Sequence, residues 1–230
     1  MTDLAILVPS RGRPANVARL AEACAKTCRT SYVLHFGFDA DDPALDANMA
    51  AAPLPDVRAT ERHRMGLTEW TNHLALDHMA SPYLASVGDD MTPQTDGWDE
   101  QLITEIEHMG AGFAYPNDWR RDDIPEAVIV STPIVADLGW FALPVLHHWF
   151  IDDVWADLGR GAGCLAYCPT VHVPHWHPNV TGGPADATYY EAAPHFAADQ
   201  AAYRKWKLYQ MPKDVAMVRR VKDGCSKSRS

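Results

Sequence analysis

Residues 83–90 read Tyr-Leu-Ala-Ser-Val-Gly-Asp-Asp, and their order decides the fold. Tyr83–Val87 is a short apolar run of strand length, Gly88 breaks it, and two carboxylates follow at its C-terminal end. The preceding Gly66–Met79 has Leu67, Trp70, Leu74 and Met79 at steps of three to five residues, a helical period that Ser81 and Pro82 end. Helix, strand and acidic loop in this order describe one unit of an α/β sheet whose strand ends carry chemistry.

Upstream the pattern repeats. Leu4–Val8 is a continuous apolar run closed by Pro9, Gly12 and Pro14, as expected of a strand buried on both faces. From Pro14, which suits a first helical turn, Val17, Leu20, Ala21, Cys24 and Cys28 form one stripe. Ser31–Phe38 is a second strand running into the acidic turn Asp39-Ala40-Asp41-Asp42-Pro43. The opening is one βαβ half of a nucleotide-binding fold. A Pro- and Ala-rich connection leads to a short strand at Val57–Ala59. Downstream, helices are expected at Trp98–Met109, Pro133–Leu138 and Ile151–Leu158, and strands at Gly112–Tyr115, Ala127–Val130, Leu165–Tyr167 and Val171–Val173. Asp186–Leu208 reads as helical. Together these predict an α/β sandwich with a mixed second half.

Composition narrows the partners. With 30 acidic against 20 basic residues the formal charge is −10, which disfavours non-specific binding to nucleic acid. The exception is Lys213–Ser230, with six basic and two acidic residues; it reads as a solvated basic polar tail or a small contact for an anionic partner. No apolar run reaches the ~18 residues of a membrane span, and Met1–Pro14 lacks a basic start and long apolar core, so a cytoplasmic protein is expected. Five cysteines without a leader argue against a disulfide framework. The pairs Cys24/Cys28 and Cys164/Cys168 raise structural zinc, with buried thiols the expected alternative.

Three acidic clusters fall at or beyond strand ends: Asp39/Asp41/Asp42, Asp89/Asp90 and Asp152/Asp153. His175 and His177 follow the last strand and share a face if extended. Carboxylates with an imidazole suit Mn²⁺ or Mg²⁺, especially where phosphates complete the shell. Any single acidic pair can instead cap a helix or solvate a turn. The chain order of all four clusters favours a site.

These stretches resemble family-2-type glycosyltransferases of the GT-A fold, from about Leu4 to Pro178. ILVPSRGRP resembles the opening strand and nucleotide-contacting loop, implying Pro9, Ser10, Arg11 and Arg13 as nucleotide-sugar contacts. Asp39 resembles the residue that recognises the nucleobase. Residues 66–90 resemble the helix and strand leading to the DxD-type motif, with Asn72 in a frequent asparagine position. The resemblance implies that Asp90 binds the metal while Asp89 reaches the ribose or sugar, and His175 or His177 is the candidate imidazole ligand; Gly88 departs from the strict pattern. Asp152-Asp153 stands where the family carries its catalytic acid motif, and Asp152 is favoured as base because Asp153 could cap the helix. The text from Gly139 to Pro178, including HHWFIDDVW, resembles a subgroup often encoded by bacteriophages.

The implied architecture is a GT-A α/β/α sandwich with a mixed sheet, as one domain over 1–212. Its nucleotide-binding half spans about 1–92, the acceptor half about 93–180, a helical segment 186–212, and the basic polar tail 213–230. The implied activity is metal-dependent, inverting transfer from a nucleotide-diphosphate sugar to an acceptor hydroxyl on a virion protein, a modified DNA base or a glycan. A nucleotidyltransferase would carry a Gly-rich loop with a Lys after the first strand, and SRGRP has neither a second glycine nor a Lys. A non-catalytic sugar-binding module on the same fold is the other alternative.

Overall fold

A computed structural model describes residues 2–52, 57–60, 64–177 and 187–228, with the backbone alone for 57–60, 189, 227 and 228. Its strands are β1 (Leu4–Pro9), β2 (Tyr32–Asp39), β3 (Val57–Thr60), β4 (Tyr83–Ser86), β5 (Phe113–Asn117), β6 (Val128–Ser131) and β7 (Leu165–His172). They form one seven-stranded sheet in the order β3-β2-β1-β4-β6-β5-β7. β1 pairs in parallel with β2 and β4, β2 with β3, and β5 with β7, while β6 runs antiparallel to both β4 and β5.

The helices are α1 (Pro14–Thr27), α2 (Leu45–Ala51), α3 (Leu67–Leu76), α4 (Trp98–His108), α5 (Thr132–Leu138), α6 (Ile151–Ala162), α7 (Ala187–Ala192), α8 (Phe196–Tyr209) and α9 (Met211–Ser228), with a 3₁₀ turn at Ala193–His195. The central strand β1 shows why two helical layers are needed. Leu4 through Val8 are all fully buried; Ala5 and Leu7 face a core shared with α3, α5, α6, α8 and α9, whereas Leu4, Ile6 and Val8 face one shared with α1 and α4. Successive strand side chains alternate between faces, so a continuous apolar strand demands a core on each.

Four readings of the sequence need correction. The 45–51 connection is a helix, α2, whose buried residue is the polar Asn48, so it carries no apolar stripe. The two strand pieces around residue 168 are one strand, β7. The C-terminal segment divides into α7, the 3₁₀ turn and α8; Asp186 lies outside the described residues.

The basic tail is α9 over most of its length. Val218 is fully buried and Val215 nearly so, and Gly161 of α6 permits the approach, since a Cβ there would lie 2.8 Å from Val215. Its cations serve the same interface: Arg219 donates to the Gly161 carbonyl at 2.6 Å and Lys222 to that of Gly163 at 2.9 Å. Cations satisfying the last carbonyls of a helix also complement its dipole.

All five cysteines are free, four of them buried, and among the described residues no cluster of three or more His, Cys, Asp or Glu stands ready to enclose a metal. Among the described residues no helix is long and apolar enough to cross a membrane.

Candidate active site

The sheet brings the C-terminal ends of β1, β2, β4, β5 and β7 to one edge, with the start of antiparallel β6 beside them. There a cavity of about 470 Å³ opens, lined by Pro9, Ser10, Arg11, Arg13, Asp39, Asp89, Asp90, Asp152, Asp153, His175 and His177 among others. Of the residues singled out in the sequence for binding or catalysis, Asn72 does not line it.

The β1 side is a closed network. Ser10 Oγ donates to Asp89 Oδ2 at 2.5 Å, and Arg13 Nη1 meets Asp89 Oδ1 at 2.9 Å and Asp90 Oδ2 at 3.7 Å. Burial works against the Asp89 charge, and although Arg13 and Ser10 oppose it the carboxyl is held above its ordinary range. Gly88 suits this packing: a Cβ there would lie 2.8 Å from Asp90 Oδ1, so the first carboxylate of a strict DxD would have to displace the Asp90 side chain. Arg11 Nη1 bonds Asp41 Oδ1 at 2.6 Å and lies 3.4 Å from Asp39 Oδ2.

Asp39 is already occupied. Its Oδ1 accepts from the Met65 amide at 3.0 Å and from Trp70 Nε1 at 2.8 Å. Gly37 on β2 makes this possible, because a Cβ there would fall 2.5 Å from the Trp70 ring. Asp42 ties loop to loop, accepting from the Gly12 amide, the Ala44 amide and Asn48 Nδ2 at 2.7 to 2.9 Å. Asn72 faces a neighbouring loop: its Oδ1 accepts from the amides of Phe141 and Ala142 at 2.8 and 2.9 Å, and its Nδ2 donates to the Ala142 carbonyl at 2.7 Å. A side-chain amide engaged by backbone in this way pins a loop.

The opposite wall is built by α6. The turn before it is held by Asp199 of α8, whose carboxylate accepts the amides of His147, His148 and Trp149 at 2.8 to 2.9 Å. The next residue, Phe150, has φ of 68°, a left-handed conformation costing a side-chain-bearing residue roughly 1–2 kcal/mol. It delivers Asp152 and Asp153 to the cavity in the first turn of α6. Burial, reinforced by the charges of Asp153 and Glu126, pushes the Asp152 carboxyl up to about 7. Asp153 is also raised by burial, with Arg121 opposing. The capping expectation for Asp153 is reversed: no side chain caps α6 at Phe150, and Asp152 Oδ1 accepts the Asp153 amide at 3.0 Å. Trp149 and Trp155 both line the cavity with their N–H groups spent on the carbonyls of Ala192 and Phe141. Burial, followed by the neighbouring His147, depresses His148 to about 4.

His175 joins the two walls. Its Nε2 lies 3.2 Å from Asp90 Oδ1 and its Nδ1 lies 2.6 Å from Glu126 Oε2. Burial disfavours its charge, yet hydrogen bonds to these two carboxylates raise it to about 9. His177 packs edge-on against His175 at 5.4 Å between ring centroids. Glu126 and its partner Arg120, at 2.9 Å, went unnoticed in the sequence. They lie in the aperiodic stretch between β5 and β6, and nothing local announces contact with a histidine 49 residues away.

No protein-family model matches the sequence, and neither does any curated protein. Solved structures do match in fold. A mannosyltransferase, PcManGT from Pyrobaculum calidifontis in complex with GDP-Man and Mn²⁺, aligns over 99% of this chain and 76% of its own at TM-score 0.61 and 11% identity. S. aureus TarS 1-349 in complex with UDP aligns over 75% of this chain at TM-score 0.58 and 10% identity, and this chain spans 59% of its length. Glucosyl-3-phosphoglycerate synthase from Mycobacterium tuberculosis, in complex with Mg²⁺ and UDP, aligns over 79% of this chain and 74% of its own at 0.57 and 9%. At such identities the likeness establishes the fold: a GT-A-type α/β architecture with a mixed sheet.

Proposed function

We propose that this chain is a nucleotide-sugar-dependent glycosyltransferase that transfers with inversion, using Asp152 as general base. The observation carrying the reading is the convergence in one cavity of two arginines and paired carboxylates at the β1 and β4 ends with a separate carboxyl of raised pKa on α6. The solved structures of the same fold hold UDP, GDP-Man, Mn²⁺ or Mg²⁺, which fits a cavity with cations on one wall and a base on the other.

In this reading the donor diphosphate lies against Arg11 and Arg13, whose guanidinium forks match phosphate oxygens. Both arginines rest on carboxylates in the unliganded chain, so binding exchanges partners instead of ordering free side chains. Asp39, its Oδ1 saturated, offers Oδ2 to the nucleobase as Arg11 turns to phosphate. Asp89 remains near Arg13 to meet ribose or sugar hydroxyls. Asp152 accepts the proton of the acceptor hydroxyl as that oxygen attacks the anomeric carbon and the C–O bond to the nucleoside diphosphate breaks; such general-base help is worth roughly 10²–10⁴-fold. Asp153 holds negative charge beside Asp152 and keeps its carboxyl basic.

A divalent ion would be held by Asp90 and by His175 Nε2 in place of the proton that Nε2 now shares with Asp90 Oδ1, and Glu126 behind Nδ1 gives the carboxylate–histidine support common behind metal-bound imidazoles. Two protein ligands would leave positions for phosphate oxygens and water, as Mg²⁺ and Mn²⁺ prefer. When bound, the ion supplies charge neutralisation for the departing diphosphate.

The test is a donor screen in Mn²⁺ or Mg²⁺, reading nucleoside diphosphate released from a panel of nucleotide sugars. Metal-dependent release from one donor, lost in Asp90→Ala, is the expected result. Pyrophosphate in its place would indicate nucleotidyl transfer, and donor binding with no turnover would leave only a binding module.

A further inference from the structure

Trp119 and Trp176 differ from the other tryptophans. Of eight in the chain, Trp70, Trp98, Trp155 and Trp206 are buried, whereas Trp119 is 50% and Trp176 37% exposed. Their rings meet edge to face, 6.0 Å between centroids at 78°. Both N–H groups are spent, Trp119 Nε1 on His172 Nδ1 at 3.2 Å and Trp176 Nε1 on Thr92 Oγ1 at 3.0 Å. What they show to solvent is therefore apolar ring surface, with both donors engaged.

The backbone under them is equally constrained. Trp119 has φ of 68°, shared among the described non-glycine residues only with Phe150 of the catalytic wall. Asn117 Oδ1 accepts the Trp119 amide at 2.9 Å, and Asp118 Oδ1 accepts the amides of Arg120 and Arg121 at 2.7 and 2.8 Å. The Trp176 amide donates to the Asp90 carbonyl at 2.9 Å, and the His175 amide to the Asp118 carbonyl at 3.0 Å. A strained backbone that presents a large apolar side chain to water, and is held there by several hydrogen bonds, is a feature to explain by function.

The position supplies the function. Trp119 adjoins Arg120, and Trp176 lies between His175 and His177; all three neighbours line the cavity. The pair therefore sits on chain segments that adjoin the cavity, although neither ring lines it. Fixed indole faces, negative at their centres, suit the C–H faces of pyranose rings. They suit nucleic acid less well, because stacking on bases works with a positive groove; here Arg120 is neutralised by Glu126 and the chain carries −10.

We infer that Trp119 and Trp176 bind a neutral saccharide chain beside the cavity, which makes the acceptor a glycan. The inference rests on the glycosyltransferase reading for the word acceptor, but its test does not. Saturation-transfer NMR of the wild-type chain with neutral hexasaccharides (gluco-, manno- and N-acetylglucosamine-based) should give transfer to ring C–H protons of at least one. The double variant Trp119→Ala/Trp176→Ala should bind that saccharide about tenfold or more weakly, and Trp119→Phe/Trp176→Phe should retain most of the affinity. Equal binding by the alanine and wild-type chains would overturn this assignment, as would no binding of any saccharide. Binding of a single-stranded oligothymidine that the alanine pair abolishes would overturn it in favour of nucleic acid. Nucleoside diphosphate binding is measured alongside in the wild-type chain: saccharide bound through the tryptophans with no nucleotide bound would uphold the saccharide site and remove the glycosyltransferase reading.

Discussion

The two walls of the cavity are built on opposite principles. On the β1 side each charge has a partner: Ser10 and Arg13 hold Asp89, Arg11 holds Asp41, and Asp39 is bound by Trp70 and an amide. On the α6 side Asp152 and Asp153 crowd two like charges into a partly buried first turn, entered through a strained Phe150. The first arrangement is stable and exchanges partners; the second stores a perturbed carboxyl for proton transfer. A group-transfer site needs both, because a donor must bind without large reorganisation while a base must be ready near neutral pH.

The largest effect should come from removing the base. Asp152→Asn should lower transfer by about 10²- to 10⁴-fold with nucleotide-sugar affinity nearly unchanged, read as kcat against donor dissociation constant. The sign of the pH dependence follows from the raised pKa. Asp152 acts ionised, so kcat/KM should climb as pH rises through about 7 and level above it; that inflection should be absent from the residual rate of the Asn variant. A profile falling across the same range would remove Asp152 from the role.

The paired wall should break differently. Arg13→Ala strands Asp89, which is 4% exposed, and leaving a buried carboxylate unpaired costs on the order of 3–5 kcal/mol. Chemical denaturation should show the loss at pH 7, with nucleotide affinity falling too. Asn72→Ala removes three backbone hydrogen bonds from residues 141–142, and about 2 kcal/mol of stability should go with them; unchanged stability with lost donor affinity would return Asn72 to the binding set.

How far the sequence foretold this divides along the same line. β1, α1, β2 and β4 were legible because a continuous apolar run and a 3.6-residue stripe each have one structural meaning, and the acidic residues beyond them had to lie at strand ends. The joining wall was half legible. Asp152 and Asp153 stood out as a pair, but Glu126 and Arg120 sit in a stretch without period, and their value comes from His175 far along the chain. For Asn72 the sequence could not tell the direction, because an asparagine on a helix near a site can face either way, and it is the 141–142 amides that its side chain meets. The C-terminal helix was hidden by its charge: Val215 and Val218 are a narrow apolar seam among lysines and arginines that cap α6. Val218→Ala, the smallest of these changes, should cost about 1–2 kcal/mol as a lowered midpoint; no change would return that segment to solvent.

Hydrogen–deuterium exchange, with and without the nucleotide sugar found in the donor screen, tests the division most directly. Protection concentrated at residues 9–13, 64–66 and 88–91 is expected, with the α6 first turn changing little until an acceptor is added. Protection confined to α6 or α9, with none at the β1 and β4 loops, would contradict it.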